Sequence, residues 1–180
     1  MKKIAMRLPV SILLCAVSVV AADLPRRAPG FALPDSQMKV FDLYDYRGKV
    51  VILELMWTSC PHCASFASVL DKAYQKYGDK VQILAVVNSR QDNQDTIAKY
   101  VAGHKIAYPI LFDAGQMAYS YMLVGLFDLP QVFLIDGSGM LRQHYEYGPM
   151  TRDIFEGNGL IAEVDRLLAA SGGPSNSKKK

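Results

Sequence analysis

Cys60 and Cys63, two thiols separated by two residues in Trp57-Thr58-Ser59-Cys60-Pro61-His62-Cys63, are the side chains best suited to chemistry in this sequence. Thiols at that spacing can form and break a disulfide with each other and so exchange electrons with a second thiol pair. A bridge over so short a loop restricts the unfolded chain little, so the pair reads as chemical rather than structural. Pro61 suits the first turn of a helix, and Phe66, Val69, Leu70, Ala73, Tyr74 and Tyr77 recur at helical spacing until Gly78. Cys60 is therefore expected at a helix N-terminus, where unpaired N–H groups and partial positive charge favour a thiolate. That makes Cys60 the attacking sulfur and Cys63, one turn further on, the resolving one. A protonated His62 would favour the reduced pair and make its disulfide the stronger oxidant; the alternative is a solvated loop histidine. Pro61 constrains the turn without contributing a donor.

Glu54 stands six residues before Cys60 in the run Val-Val-Ile-Leu-Glu-Leu-Met. A buried carboxylate without a partner costs several kcal/mol unless it is protonated or hydrated. A raised pKa would suit a group passing a proton to or from Cys63; otherwise Glu54 pairs with a lysine or faces solvent at a strand margin. Leu129-Pro130 precedes a further apolar run, and a proline is tolerated at the first residue of a strand. A cis bond there would leave the Leu129 backbone free to pair with an extended substrate segment.

The elements that must hold these residues follow from periodicity. Val40, Phe41 and Leu43 suggest a short strand, while 50–56 and 81–87 read as strands buried on both faces. Helices are expected over 61–77, 92–103 and 116–123, with short strands at 110–112 and 131–135. Asp136-Gly137-Ser138-Gly139 turns the last strand into an antiparallel partner over 140–145, and Leu160, Ile161, Val164, Leu167 and Leu168 mark a closing amphipathic helix. Residues 23–35, carrying Pro25, Pro29, Gly30 and Pro34, form an extended leader; the domain proper spans 36–170, and 171–180 is a flexible Gly, Pro, Ser and Lys tail.

With 180 residues, 51% hydrophobic and 21% charged, the chain fits one globular domain. Its net charge of +3 is accounted for by Lys2, Lys3 and Arg7, so nothing suggests a nucleic-acid surface. Those cations precede an apolar run over 8–20 and small Ala21 and Ala22, the pattern of a secretory signal cleaved after residue 22. The run is shorter than the roughly 20 residues of a membrane span, which favours a removed signal over a retained anchor. Cys15 lies within it, and Leu14 before Cys15 argues against lipidation. Only Cys60 and Cys63 would then reach an oxidising compartment, the periplasm being the expected one.

The chain resembles secreted thioredoxin-fold proteins of the TlpA and ResA type over roughly residues 31–168. The likeness rests on Arg47-Gly48-Lys49 before the central strand, the Trp-x-x-C-x-x-C arrangement, a helix and strand inserted between Asn88 and Leu129, and Pro130 followed by Val132-Phe133-Leu134-Ile135-Asp136. It implies an α/β three-layer sandwich in which the four strands of a thioredoxin sheet are flanked by helices. It further implies a cis Pro130, a substrate surface of Trp57, Leu129 and Pro130, and exchange with protein thiols or disulfides outside the cytoplasm. No cofactor beyond the Cys60-Cys63 pair is implied, and a membrane redox partner would recycle it. Pro61-His62 and Glu54 are instead similar to the periplasmic oxidase DsbA, whereas TlpA-like proteins are commonly reductants. The centre is expected to be fairly oxidising, with reduction of apocytochrome c thiols as the alternative.

Copper or zinc carriage on the two thiolates with His62, His104 or His144 is a rival, although copper-delivering relatives use a C-x-x-x-C spacing. No metal site is expected, and His104 and His144 read as surface residues. Peroxidase chemistry would need Thr or Ser where Trp57 stands and Pro where Leu53 stands. Covalent haem attachment would need histidine in place of Ala64. A non-enzymatic interaction module with idle thiols is the remaining class.

Overall fold

A computed structural model describes residues 24–113, 115–122 and 128–171. The expected signal over 1–22, the end of the expected helix over 116–123 and nearly all of the expected tail lie outside the described residues. The described chain forms strands β1 (Arg26–Arg27), β2 (Ala32–Pro34), β3 (Val40–Asp42), β4 (Val50–Met56), β5 (Val81–Val87), β6 (Ile110–Phe112), β7 (Gln131–Ile135) and β8 (Met140–Glu146). Its α-helices are α1 (Pro61–Tyr77), α2 (Gln94–His104), α3 (Arg152–Glu156) and α4 (Asn158–Ser171).

The continuous apolar runs of β4 and β5 are buried along almost their whole length, as strands covered on both faces must be. They pair in parallel from Val50 with Val81 to Met56 with Val87, joined by α1 as the crossover. β4 pairs antiparallel with β7 on its other side, and β7 forms the expected hairpin with β8. The full sheet runs β1-β8-β7-β4-β5-β6. Six strands replace the four that the resemblance implies, because the insertion adds β6 at one margin and Arg26–Arg27 adds β1 at the other.

α1 begins on Pro61 and ends at Gly78, whose φ of 52° lies in the left-handed region. Its apolar stripe, Cys63, Phe66, Ala67, Leu70 and Ala73, is buried, and Tyr77 Oη donates to Asp165 Oδ1 at 2.9 Å, tying α1 to α4. Helix α2 starts on a capping box in which Asn93 Oδ1 accepts from the Asp95 and Thr96 N–H groups. The predicted helix over 116–123 is a short π-helical turn over Ala118–Met122, and α3 has no counterpart in the sequence reading.

The hairpin turn between β7 and β8 holds the Arg47-Gly48-Lys49 lead in place. Gly48 N–H donates to Gly137 O at 2.9 Å, and the Arg47 guanidinium donates to Ser138 O. Gly139 has φ 78°, a backbone conformation that favours glycine, and the Arg47 guanidinium lies over it. Asp136 accepts from Ser138, Met140 and Arg142, the last at 2.6 Å, and these donors hold its carboxyl below the usual range despite burial.

Candidate active site

The central strand β4 delivers the chain to the first turn of α1, and Cys60 is the residue that caps it. Its backbone is extended (φ −82°, ψ 117°), and Cys63 N–H donates to Cys60 Sγ at 3.2 Å. That sulfur occupies the position where serine or aspartate oxygen usually satisfies an orphan helix N–H. The interaction strengthens when the sulfur is negatively charged. Cys60 Sγ is also 3.7 Å from Leu129 O. Both cysteines are free thiols; Cys60 is half-buried, whereas Cys63 is fully buried.

Glu54 lies in the middle of β4, paired with Ala85 of β5 and Val132 of β7, and none of its surface reaches solvent. Neither carboxyl oxygen has a hydrogen-bond partner in the protein. Burial pushes its pKa up to about 8, so neither alternative of a lysine partner nor of a solvated strand margin describes it. The Cys63 thiol is driven upward by burial first and by the negative charge of Glu54 second, which places the two groups within electrostatic reach.

The loop from Trp57 to Ser59 is fastened to the segment before α2. Trp57 Nε1 donates to Asn88 Oδ1 at 2.6 Å, while the Thr58 N–H and hydroxyl both donate to the Asp92 carboxylate. Asn88 and Asp92 escaped the sequence reading because nothing in their spacing connects them to a motif more than thirty residues away. Asp92→Ala should cost about 1.5–3 kcal/mol, the scale for losing hydrogen bonds to a charged group. Urea unfolding would measure the loss, and faster amide exchange at Thr58 would localise it.

The Leu129–Pro130 bond is cis, and Pro130 is buried. Trp57, Ser59, Cys60, Pro61 and Leu129 line a shallow depression of about 370 Å³, the approach to the reactive sulfur. On the far side of the motif His62 is exposed, and its ring stacks on Tyr147 with centroids 4.1 Å apart. Tyr147 N–H in turn donates to Pro130 O at 3.2 Å. The structure thus brings Trp57, Cys60, Pro61 and Leu129 together, sets His62 next to them in the chain and leaves Glu54 within electrostatic reach of Cys63.

The other histidines stand apart. His104 is exposed in the last turn of α2. His144, expected at the surface, is instead stacked on Phe133 at 4.1 Å and bonded to Gln131 Oε1 at 3.0 Å. Burial lowers its pKa to about 4. Arg142-Gln143-His144 is an unbroken polar run, which disguised this inward contact. Among the described residues no three His, Cys, Asp or Glu side chains converge on a metal-sized site.

A dithiol at the first turn of the helix that follows the central strand, with a cis proline facing it, defines a thioredoxin-fold thiol-disulfide oxidoreductase. Comparison with known proteins agrees. The chain is 33% identical over 129 residues to the thiol-disulfide oxidoreductase ResA of Geobacillus thermodenitrificans, covering 70% of each chain. It is 29% identical over 136 residues to ResA of Bacillus anthracis, covering 75% of this chain and 76% of the relative. The crystal structure of a putative thiol:disulfide interchange protein DsbE from Chlorobium tepidum superposes with a TM-score of 0.65 at 27% identity, over 78% of this chain and 97% of that one. A putative thioredoxin from Neisseria meningitidis gives a TM-score of 0.67 at 26% identity, over 82% and 93%. The chain belongs to the AhpC/TSA family, whose profile matches residues 24–144, and within it to the thiol-disulfide oxidoreductases of ResA type.

Proposed function

We propose that this enzyme exchanges disulfides with protein substrates outside the cytoplasm. The observation that carries the reading is Cys60 Sγ capping α1 while Cys63 waits, fully buried, one turn behind it. In the reducing direction, the Cys60 thiolate attacks a substrate disulfide, forming a mixed disulfide and releasing one substrate thiolate. Cys63 then gives its proton to the Glu54 carboxylate and attacks Cys60 Sγ; the Cys60-Cys63 disulfide forms and the second substrate thiolate leaves. Two electrons pass from the pair to the substrate, and the oxidising direction is the reverse sequence. The pair is itself the redox group, so the exchange requires no further cofactor. The Leu129 backbone and Trp57 receive the substrate segment beside the sulfur, in the manner of a short added strand.

The N-terminal signal pattern supports export to the periplasm, where a membrane redox partner would restore the pair after each turnover. No helix among the described residues is long and apolar enough to cross a membrane. The Pro61-His62 dipeptide supports an oxidising poise: an imidazole beside the helix start would, when protonated, favour the reduced pair and so raise its potential. Titration against glutathione tests this. A potential well above thioredoxin's, about −270 mV, is expected; a thioredoxin-like value would reverse the direction and support reduction of apocytochrome disulfides to thiols instead.

A further inference from the structure

Four buried oxygens among the described residues lack a hydrogen-bond partner in the protein: both carboxyl oxygens of Glu54 and the hydroxyls of Tyr100 and Tyr108. Tyr100 is 5% exposed and Tyr108 4%, so open solvent does not satisfy them. An unpaired buried polar group costs about 1–3 kcal/mol, and four together would consume much of the stability of an ordinary domain. Buried polar groups of this kind are ordinarily satisfied by internal water.

The four oxygens share one neighbourhood. α1 packs against β5 and α2, Tyr100 lies on α2, and Tyr108 just precedes β6, the neighbour of β5. Glu54 supplies the strongest charge felt at each phenol. The other ionisable groups acting on the pair are Cys60, Cys63 and Asp71, all on or capping α1. Burial and the Glu54 charge both raise the phenols, which therefore remain protonated donors. The residue paired with Glu54 on β5 is Ala85, the smallest side chain in either β4 or β5, and register partners share a face of the sheet.

We propose that Tyr100 and Tyr108 are positioning residues that anchor internal water against the Glu54 carboxyl, hydrating the group that takes the proton from Cys63. The inference rests on the proton-transfer reading of Glu54. Water anchored by phenol donors can hydrogen-bond to the carboxylate, so the charged form persists at a site that burial alone would leave neutral. The step it assists is Cys63–SH plus Glu54–COO⁻ giving Cys63–S⁻ plus Glu54–COOH, with no change in electron count.

The test uses the full chain carrying Tyr100→Phe and Tyr108→Phe, which keeps both rings, and separately Ala85→Val, which adds bulk beside the carboxyl, where water would stand, while leaving both hydroxyls. Carboxyl ¹³C shifts follow the Glu54 titration, and the pH profile of mixed-disulfide resolution follows the proton step. Both variants should move the Glu54 midpoint upward by about one unit and slow resolution near neutral pH on the order of tenfold, one unit being one decade of carboxylate. If the double variant does not fold, Ala85→Val decides alone. An unmoved midpoint and profile in the folded variants overturn the role of the tyrosines. That failure is distinct from failure of the underlying reading, which would show as undiminished exchange by Glu54→Gln whatever the tyrosine variants do.

Discussion

Cys60→Ser is expected to abolish exchange with a model disulfide peptide, a fall on the order of 10³-fold to the uncatalysed background. A hydroxyl can still cap α1 in the manner of an ordinary N-cap serine, so the fold should survive while the accessible thiol of the pair is lost. Cys63→Ser should behave differently: Cys60 still attacks, but nothing releases the captured partner, and a mixed disulfide accumulates that gel electrophoresis without reductant detects. In the native reduced protein, iodoacetamide should modify Cys60 well before buried Cys63. Exchange unchanged by Cys60→Ser would refute the assignment of the nucleophile, and stoichiometric copper binding without exchange would favour metal carriage.

Glu54→Gln is expected to slow exchange on the order of 100-fold, the low end for removing a general acid or base, while leaving Cys60 alkylation intact. It should also remove a pH dependence of stability. An unfolded glutamate titrates near 4.5, and in the folded protein Glu54 does so near 8. Between those values the native state holds a proton that the unfolded chain has released. The stabilisation is therefore complete below the lower value and is lost as pH rises to the upper one. His144 acts oppositely, because its folded pKa of about 4 lies below the ordinary 6.5, so its contribution is gained as pH rises through that interval. The two oppose each other in mildly acidic solution, and above pH 6.5 Glu54 acts without that opposition. From pH 6.5 to 8 the native protein should lose about 2 kcal/mol, at about 1.4 kcal/mol per unit, and Glu54→Gln should not. Urea unfolding at the two pH values measures the difference; equal slopes would place the Glu54 titration elsewhere.

Much of this site is legible in the sequence because its signals are local. Val50–Met56 and Val81–Val87 announce buried parallel strands by apolar runs interrupted only by Glu54 and Gln82, Pro61 and Gly78 delimit α1, and the cysteine spacing then fixes which thiol caps the helix. Glu54 drew notice only as a charge out of place, and the structure bears out its burial. What escaped depends on tertiary contact. α3 is five residues long and holds its place by burying Ile154 and Phe155, too short a stretch for periodicity to register. Tyr147, Tyr100 and Tyr108 are three of ten tyrosines, and nothing in their spacing marks one for stacking on His62 or two for burying an unpaired hydroxyl. The two-residue β1 exists only because β8 offers it a partner.

The segment ahead of the central strand touches both rims of the sheet. Arg26–Arg27 pairs with β8 at one end, and Asp35 bridges to Leu111 of β6 at the other. Unpaired strand edges invite copies of a protein to zip together. This short stretch therefore acts as a clasp, covering the start of β8 and the middle of β6 against the addition of a second molecule.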